Sequence, residues 1–71
     1  MDYKDLGLYI KQKRERLKIS LNSFCIANDI EPAILSRIEN QKQGIKINSL
    51  IKIASGFKMT LAEFLTEFEN T

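Results

Sequence analysis

The sequence predicts an all-α fold, a compact domain of five short helices. Apolar residues recur at intervals of three and four along most of the chain, as one face of an amphipathic helix requires. No segment alternates apolar and polar residues with the period of two that is typical of a half-buried strand. With 71 residues, 44% hydrophobic and 28% charged, the sequence fits one small globular domain over residues 1–71.

The first helix is expected over about residues 5–17. Its apolar stripe is formed by Leu6, Ile10 and Leu17, and Arg14 completes that stripe between the last two. The second helix begins at Ser20, a favoured N-cap residue, and continues to about residue 28.

The third helix follows a turn of polar residues. Pro32 marks its start, because proline is favoured at the first helical position, and the helix ends around Asn40. Ile34, Leu35 and Ile38 share its inner face. Residues 20–40 therefore predict two helices joined by a short turn, which is the helix-turn-helix arrangement.

Two further helices complete the prediction. The fourth spans residues 47–57, and its expected buried residues are Ile47, Leu50, Ile51, Ala54 and Phe57. The fifth, over residues 60–69, has the clearest start in the chain, since Thr60 and Glu63 fit a capping box.

The charge is distributed unevenly along the chain. Residues 1–58 carry all 11 basic residues and six of the nine acidic ones, a net charge of +5. Residues 59–71 carry the other three acidic residues and no basic one, a net charge of −3. A basic body suits a polyanionic partner, although a merely solvated surface would have the same composition.

The outward face of the third helix carries Ser36 and Arg37, followed by Asn40. A hydroxyl, a guanidinium fork and an amide are groups that contact base edges and phosphates in DNA. Arg37 can bond a guanine through two acceptors, or it can act as a phosphate contact or a solvated residue.

An ordered set of residues over about positions 6–65 resembles the phage repressor and Cro type of helix-turn-helix domain, the XRE family. The residues that carry the resemblance are Leu6-Gly7, Ile10, Arg14, Ser20, Phe24-Cys25, Ile30, Leu35-Ser36-Arg37-Ile38-Glu39-Asn40, Lys52-Ile53-Ala54 and the segment 61–65. Their most specific part is the Ser-Arg-Ile-Glu-Asn string at the end of the third helix. The resemblance implies a lambda-repressor-like DNA-binding fold with the third helix in the major groove.

The resemblance also implies roles for individual residues. Those expected to face the bases are Pro32, Ala33, Ser36 and Arg37. Those expected at phosphates are Ser20, Leu21 and Asn22 at the start of the second helix, and Asn40, Lys42 and Lys46 after the third. Asn40 has a second explanation, as a helix-terminal residue in the left-handed conformation. Arg14 and Glu39 are expected to form a largely buried ion pair.

Some residues depart from the family pattern. Leu21 stands where many relatives have glutamine, and Gln41 and Lys58 stand where glycine is frequent. Leu21, Pro32 and Ala33 also permit an alternative function, a protein-interaction module of antitoxin or anti-regulator type that uses the same fold without specific DNA binding.

Other classes of function find little support in the sequence. There is no histidine, and the single Cys25 is expected to be a small core residue, so we expect no enzyme, metal site or cofactor. The absence of a long apolar run or a signal peptide leads us to expect a cytoplasmic protein without a membrane or small-molecule partner.

These observations together predict a sequence-specific DNA-binding transcriptional regulator, most simply a repressor. One short recognition helix makes few contacts, so a homodimer on a two-fold site is expected. The fifth helix, with Leu65 and Phe68, is the candidate dimer surface, and a lid on the core is its other interpretation.

Overall fold

The computed structural model describes residues 4–70, with side chains from residue 6 onward, as five helices joined by short loops. The helices are α1 (Lys4–Arg16), α2 (Leu21–Asn28), α3 (Pro32–Glu39), α4 (Ile47–Gly56) and α5 (Leu61–Glu69). The described chain contains no β-strand, so the predicted all-α, five-helix fold is confirmed.

Three of the helix starts follow from the signals in the sequence. The Ser20 hydroxyl accepts a hydrogen bond of 3.1 Å from the backbone N–H of Ser23 and so caps α2. At α5, Thr60 and Glu63 form the predicted capping box, with reciprocal bonds of 2.8 and 3.1 Å. Pro32 is the first residue of α3. Helix α4, in contrast, begins after Lys46, whose side chain makes no capping bond.

The ends of α1 to α4 share one geometry. A non-glycine residue with positive φ follows each helix; these residues are Lys18, Asp29, Gln41 and Lys58. The next N–H donates back to a carbonyl five residues earlier, as in a Schellman motif. Gln41 (φ 62°) and Lys58 (φ 60°) therefore occupy left-handed positions that glycine favours. The left-handed interpretation of Asn40 is wrong, because its φ is −92° and the reversal occurs one residue later.

The core lies where α1 packs on α3, α2 on α3 and α4, and α4 on α5. Its buried apolar residues are Leu6, Tyr9, Ile10, Phe24, Cys25, Leu35, Ile38, Leu50, Ile53, Ala54, Phe64 and Phe68. Three residues expected in it are exposed. Leu17 lies beyond the end of α1 and leaves the helical phase, so 56% of it is accessible.

The other two exceptions, Ile47 and Ile51, lie on α4 and are 58% and 48% exposed. The stripe of α4 that faces the core runs through Leu50, Ile53 and Ala54 instead. Ile51 is one residue, about 100°, around the helix from Leu50. Helix α4 is therefore apolar over a wider arc than the core covers.

Close contacts fix α1 against both α3 and α5. A Cβ added to Gly7 would lie 2.0 Å from the carbonyl oxygen of Ile38, so the backbones of α1 and α3 meet at this point. On the other side of α1, Tyr9 donates a hydrogen bond to Glu67, and the Lys13 ammonium lies 2.6 Å from the same carboxylate. The hydrogen bond from Lys13 and, to a smaller extent, the one from Tyr9 lower the pKa of Glu67 below its ordinary value.

Candidate nucleic-acid interface

The outward face of α3 carries the four residues that were predicted to face the bases. Pro32, Ala33 and Arg37 are exposed, and Ser36 is half-buried. Positions i, i+1, i+4 and i+5 of a helix lie on one side of it, so the four side chains form one surface. Within residues 6–70, the side chain of Arg37 has no hydrogen-bond or ion-pair partner. Its five N–H donors are therefore available to a ligand.

Asn40 extends this surface at the end of α3. Its side-chain amide donates to the Ser36 hydroxyl over 3.4 Å, which is a long hydrogen bond between exposed groups. Asn40 thus lies beside Ser36 on the outer side of the helix rather than over the core. A contact from this amide to DNA would be adjacent to the base-facing residues.

Arg14 and Glu39 form a bidentate ion pair between α1 and α3. The Nε and Nη2 atoms of Arg14 donate to the two carboxylate oxygens of Glu39, both over 2.9 Å. The residues are only 7% and 4% exposed. The hydrogen bond to Glu39 raises the pKa of Arg14 above its ordinary value against the opposing effect of burial. The ion pair implied by the family resemblance is therefore present.

A third bond gives Arg14 a wider role. Its Nη1 atom donates to the backbone carbonyl of Ile19 over 2.7 Å, immediately before the N-cap residue Ser20. One buried guanidinium thus connects the last turn of α1, the loop that enters α2 and the last residue of α3. Because α2 and α3 are the helix-turn-helix pair, Arg14 fixes both their relative position and their position on α1.

The start of α2 presents the expected polar residues at the surface, with one exception. Ser20 and Asn22 are exposed, whereas Leu21 is half-buried and packs against the core. No acidic residue lies in the first turn of α2, so its positive dipole end is not neutralised by the helix itself. The protein-interaction alternative depends on an apolar surface of Leu21, Pro32 and Ala33. Because Leu21 packs on the core, mainly Pro32 and Ala33 remain exposed for it.

The loop that follows α3 differs from the other helix ends. After α1, α2 and α4 the residue beyond the left-handed position is apolar and packs against the core, as Ile19, Ile30 and Met59 do. After α3 this position is held by Lys42, which is exposed. Lys46, at the other end of the loop, is exposed as well. The loop that follows α3 therefore carries two exposed cations.

The connection between α4 and the turn of the helix-turn-helix motif escaped the sequence analysis. The Lys52 ammonium donates to the backbone carbonyl of Asp29 over 3.0 Å and lies 3.8 Å from its carboxylate. Lys52 was a marker of the family resemblance, but its spacing from Asp29 gave no indication of contact. The bond supports the turn from outside the core.

The two predicted dimer contacts lie in different environments. Phe68 is 8% exposed and packs against Tyr9, with ring centroids 5.3 Å apart, so it is a core residue of the single chain. Leu65 is half-buried. Phe68 can therefore offer little surface to a second copy, because α1 already covers its ring.

Other chemistry is sparse in the part of the chain that the structure describes. Cys25 is fully buried, and burial raises the pKa of its thiol. No three potential ligands among His, Cys, Asp and Glu are grouped as a metal site would require in residues 4–70. None of the five described helices has the length and apolar character needed to cross a bilayer.

Comparison with known proteins identifies the family. No family model matches the chain, and no solved structure matches it. Among curated proteins, the chain is similar to the control protein C.MunI of Mycoplasma sp, with 32% identity over 59 residues. The aligned region covers 83% of this chain and 80% of the relative. The chain belongs to the control-protein family, whose members are helix-turn-helix regulators of transcription.

Proposed function

We propose that this protein is a sequence-specific DNA-binding repressor of the XRE and Cro type, which acts as a cytoplasmic homodimer with α3 in the major groove. The observation that carries the proposal is the outward face of α3. It holds an arginine whose side chain has no partner among the described residues, on a helix that is fixed from behind by a buried, bidentate ion pair. A recognition helix needs this combination of a free outer face and a rigid support.

Base reading is assigned to Pro32, Ala33, Ser36 and Arg37. Arg37 would donate two parallel hydrogen bonds to a guanine, a contact that discriminates by about 1–3 kcal/mol. Pro32 and Ala33 can contact a thymine methyl group but cannot hydrogen-bond to a base through their side chains. Most of the hydrogen-bonded readout therefore depends on Arg37 and Ser36.

Phosphate binding is assigned to the two ends of the helix-turn-helix pair. At the start of α2, the backbone N–H groups of Leu21 and Asn22 belong to the positive end of the helix dipole. The Ser20 hydroxyl lies at the same end as the N-cap. Asn40 at the end of α3 and Lys42 and Lys46 in the loop that follows it are exposed. Lys42 supports this assignment, because it is exposed at a loop position that an apolar, core-packed residue holds after α1, α2 and α4.

Three proteins test the assignment of Arg37: the wild type, Arg37→Ala and Arg37→Lys. Each is titrated with a duplex that the wild type selects from random DNA and with single-base variants of that duplex. Lysine keeps the charge but lacks the planar fork that bonds two acceptors of guanine. We expect both variants to lose preference at one base pair, by about 5- to 150-fold, which corresponds to about 1–3 kcal/mol.

A salt titration of the same three proteins separates the alternatives. If Arg37 contacts only a phosphate, Arg37→Lys retains affinity and preference, and Arg37→Ala lowers the salt slope by about 1 at every sequence. That result would contradict base reading by Arg37. If wild-type binding to its partner barely responds to salt, the protein-interaction function is favoured over DNA binding, because counterion release requires phosphate contacts.

A further inference from the structure

The two ends of α3 are held in different ways. At its C-terminal end, Glu39 forms the buried ion pair with Arg14. The backbone of the preceding residue, Ile38, lies against Gly7 of α1. At its N-terminal end, the N-cap residue Glu31 makes no side-chain capping bond. The helix has eight residues and is about 12 Å long, so a small rotation about the fixed end displaces the residues at the other end.

The turn that leads into α3 is fixed to α2 by backbone bonds. Asp29 ends α2 in the left-handed conformation, with φ 55°, and its N–H donates to the carbonyl of Cys25. The N–H of Ile30 donates to the same carbonyl over 3.0 Å, and the Ile30 side chain packs against the core. The carbonyl of Asp29 takes no part in these bonds, so it can accept a hydrogen bond from another element.

Lys52 of α4 supplies that hydrogen bond. Its ammonium donates to the Asp29 carbonyl over 3.0 Å. The same ammonium lies 3.8 Å from the Asp29 carboxylate, and that side chain is fully exposed, so the ion pair itself contributes little. Helix α4 packs on α2, and Lys52 extends this contact to the turn, three residues before α3 begins at Pro32.

We infer that Lys52 is a positioning residue for sequence recognition. Through the Asp29 carbonyl it fixes the N-terminal end of α3, as the ion pair with Arg14 fixes the C-terminal end. Lys52 acts through the turn rather than by contact with DNA. The inference rests on the proposed function, in which α3 reads the bases.

The residues assigned to base reading are spread along α3, so the angle of this helix affects all of them. Pro32 and Ala33 lie in its first turn, nearest to the Lys52 bond, and Arg37 lies in its last turn. The arginine fork discriminates only while two of its N–H groups align with the two acceptors of guanine. A helix held at one end alone varies in angle, and part of that alignment is lost.

Three variants separate the parts of the contact. Lys52→Met removes the donor, Lys52→Arg keeps the charge and the N–H donors, and Asp29→Asn keeps the carbonyl but removes the carboxylate. Asparagine also tolerates the left-handed conformation of position 29. We expect Lys52→Met to change recognition and the other two variants to behave like the wild type, because the hydrogen bond to the carbonyl survives in both.

DNA recognition is measured as the ratio of the affinities for the duplex that the wild type selects and for a scrambled duplex of equal length. Lys52→Met is expected to lower this ratio by about 2- to 10-fold, which corresponds to the net contribution of one hydrogen bond. The salt slope should not change, since no phosphate contact is removed. The comparison variant is Lys46→Met, which removes an exposed lysine assigned to a phosphate. It should lower the salt slope by about 1 and leave the ratio unchanged.

Amide hydrogen exchange tests the positioning of α3 without DNA. The N–H of Leu35 donates to the carbonyl of Glu31 over 3.1 Å in the first turn, and the N–H of Asn40 donates to the carbonyl of Ser36 over 3.0 Å at the other end. In Lys52→Met, exchange is expected to rise by about 2- to 10-fold at the first of these amides and to stay unchanged at the second. An equal rise at both would reflect a loss of overall stability and would contradict the inference.

The DNA measurements can overturn the inference in three ways. If Lys52→Met keeps the wild-type ratio but melts at a lower temperature, Lys52 only stabilises the fold. If affinity falls equally for both duplexes and the salt slope decreases, Lys52 is a phosphate contact. If Asp29→Asn loses as much preference as Lys52→Met, the carboxylate and not the carbonyl is the partner that matters. A wild type that selects no sequence refutes the proposed function instead, and amide exchange then still tests how α3 is held.

Discussion

At the scale of single residues, two arginines divide the work of the candidate site. Arg14 is buried and holds α3 through Glu39, while the side chain of Arg37 is exposed and has no partner among the described residues. The helical spacing of the sequence placed Arg37 outside the apolar stripe and Arg14 within it. The pairing of Arg14 with Glu39 followed only from the family resemblance, because 25 residues separate them and no local pattern connects them. The bond to Ile19 was not predicted, since a backbone acceptor leaves no signature in the sequence.

Removal of Arg14 is expected to destabilise the protein strongly. Arg14→Met leaves the Glu39 carboxylate buried without its partner, which costs about 3–5 kcal/mol of unfolding free energy. The double variant Arg14→Met/Glu39→Leu fills similar volume without a charge and should recover most of that loss. Urea unfolding, followed by circular dichroism at one fixed protein concentration, measures both. A loss below about 1 kcal/mol in the single variant would contradict a structural role for the pair.

At the scale of secondary structure, the helix boundaries were predicted better than the buried faces. Side-chain caps mark the starts of α2 and α5, and Pro32 marks the start of α3; these signals act within a few residues of the chain. Helix α4 is apolar over a wider arc than the core covers, so periodicity alone could not decide which part of that arc faces the core. In the folded chain Ile53 is buried, whereas Ile47 and Ile51 are exposed. The sequence analysis therefore assigned the latter two to the core wrongly.

Gly7 tests how closely α1 and α3 must approach. A Cβ at this position would meet the carbonyl oxygen of Ile38, a backbone atom that moves only if the helices separate. Gly7→Ala is therefore expected to destabilise the protein by about 1–3 kcal/mol, although alanine is the better helix former. The control is Gly44→Ala, since nothing lies within 4 Å of a Cβ added at Gly44. Equal unfolding free energies for the two variants would show that the helices tolerate separation.

At the scale of the whole molecule, the candidate interface combines the outer face of α3 with the loop that follows it. Patterning and the family resemblance anticipated the residues on α3, because each of them could be placed on one helix. The contact of Phe68 with Tyr9 joins residues near opposite ends of the chain, so no local pattern could show that α1 covers this ring. Of the two expected dimer contacts on α5, only Leu65 is therefore partly accessible.

Selection of bound sites from a random DNA pool tests the central claim, that a dimer of this regulator reads sequence through α3. The account predicts an enriched palindrome whose half-sites are about 34 Å, or one helical turn, apart. Within each half-site, one strongly preferred guanine should lose its preference when the selection is repeated with Arg37→Ala. A wild-type pool that binds without enrichment of any sequence, or that yields a single half-site without symmetry, would contradict the account.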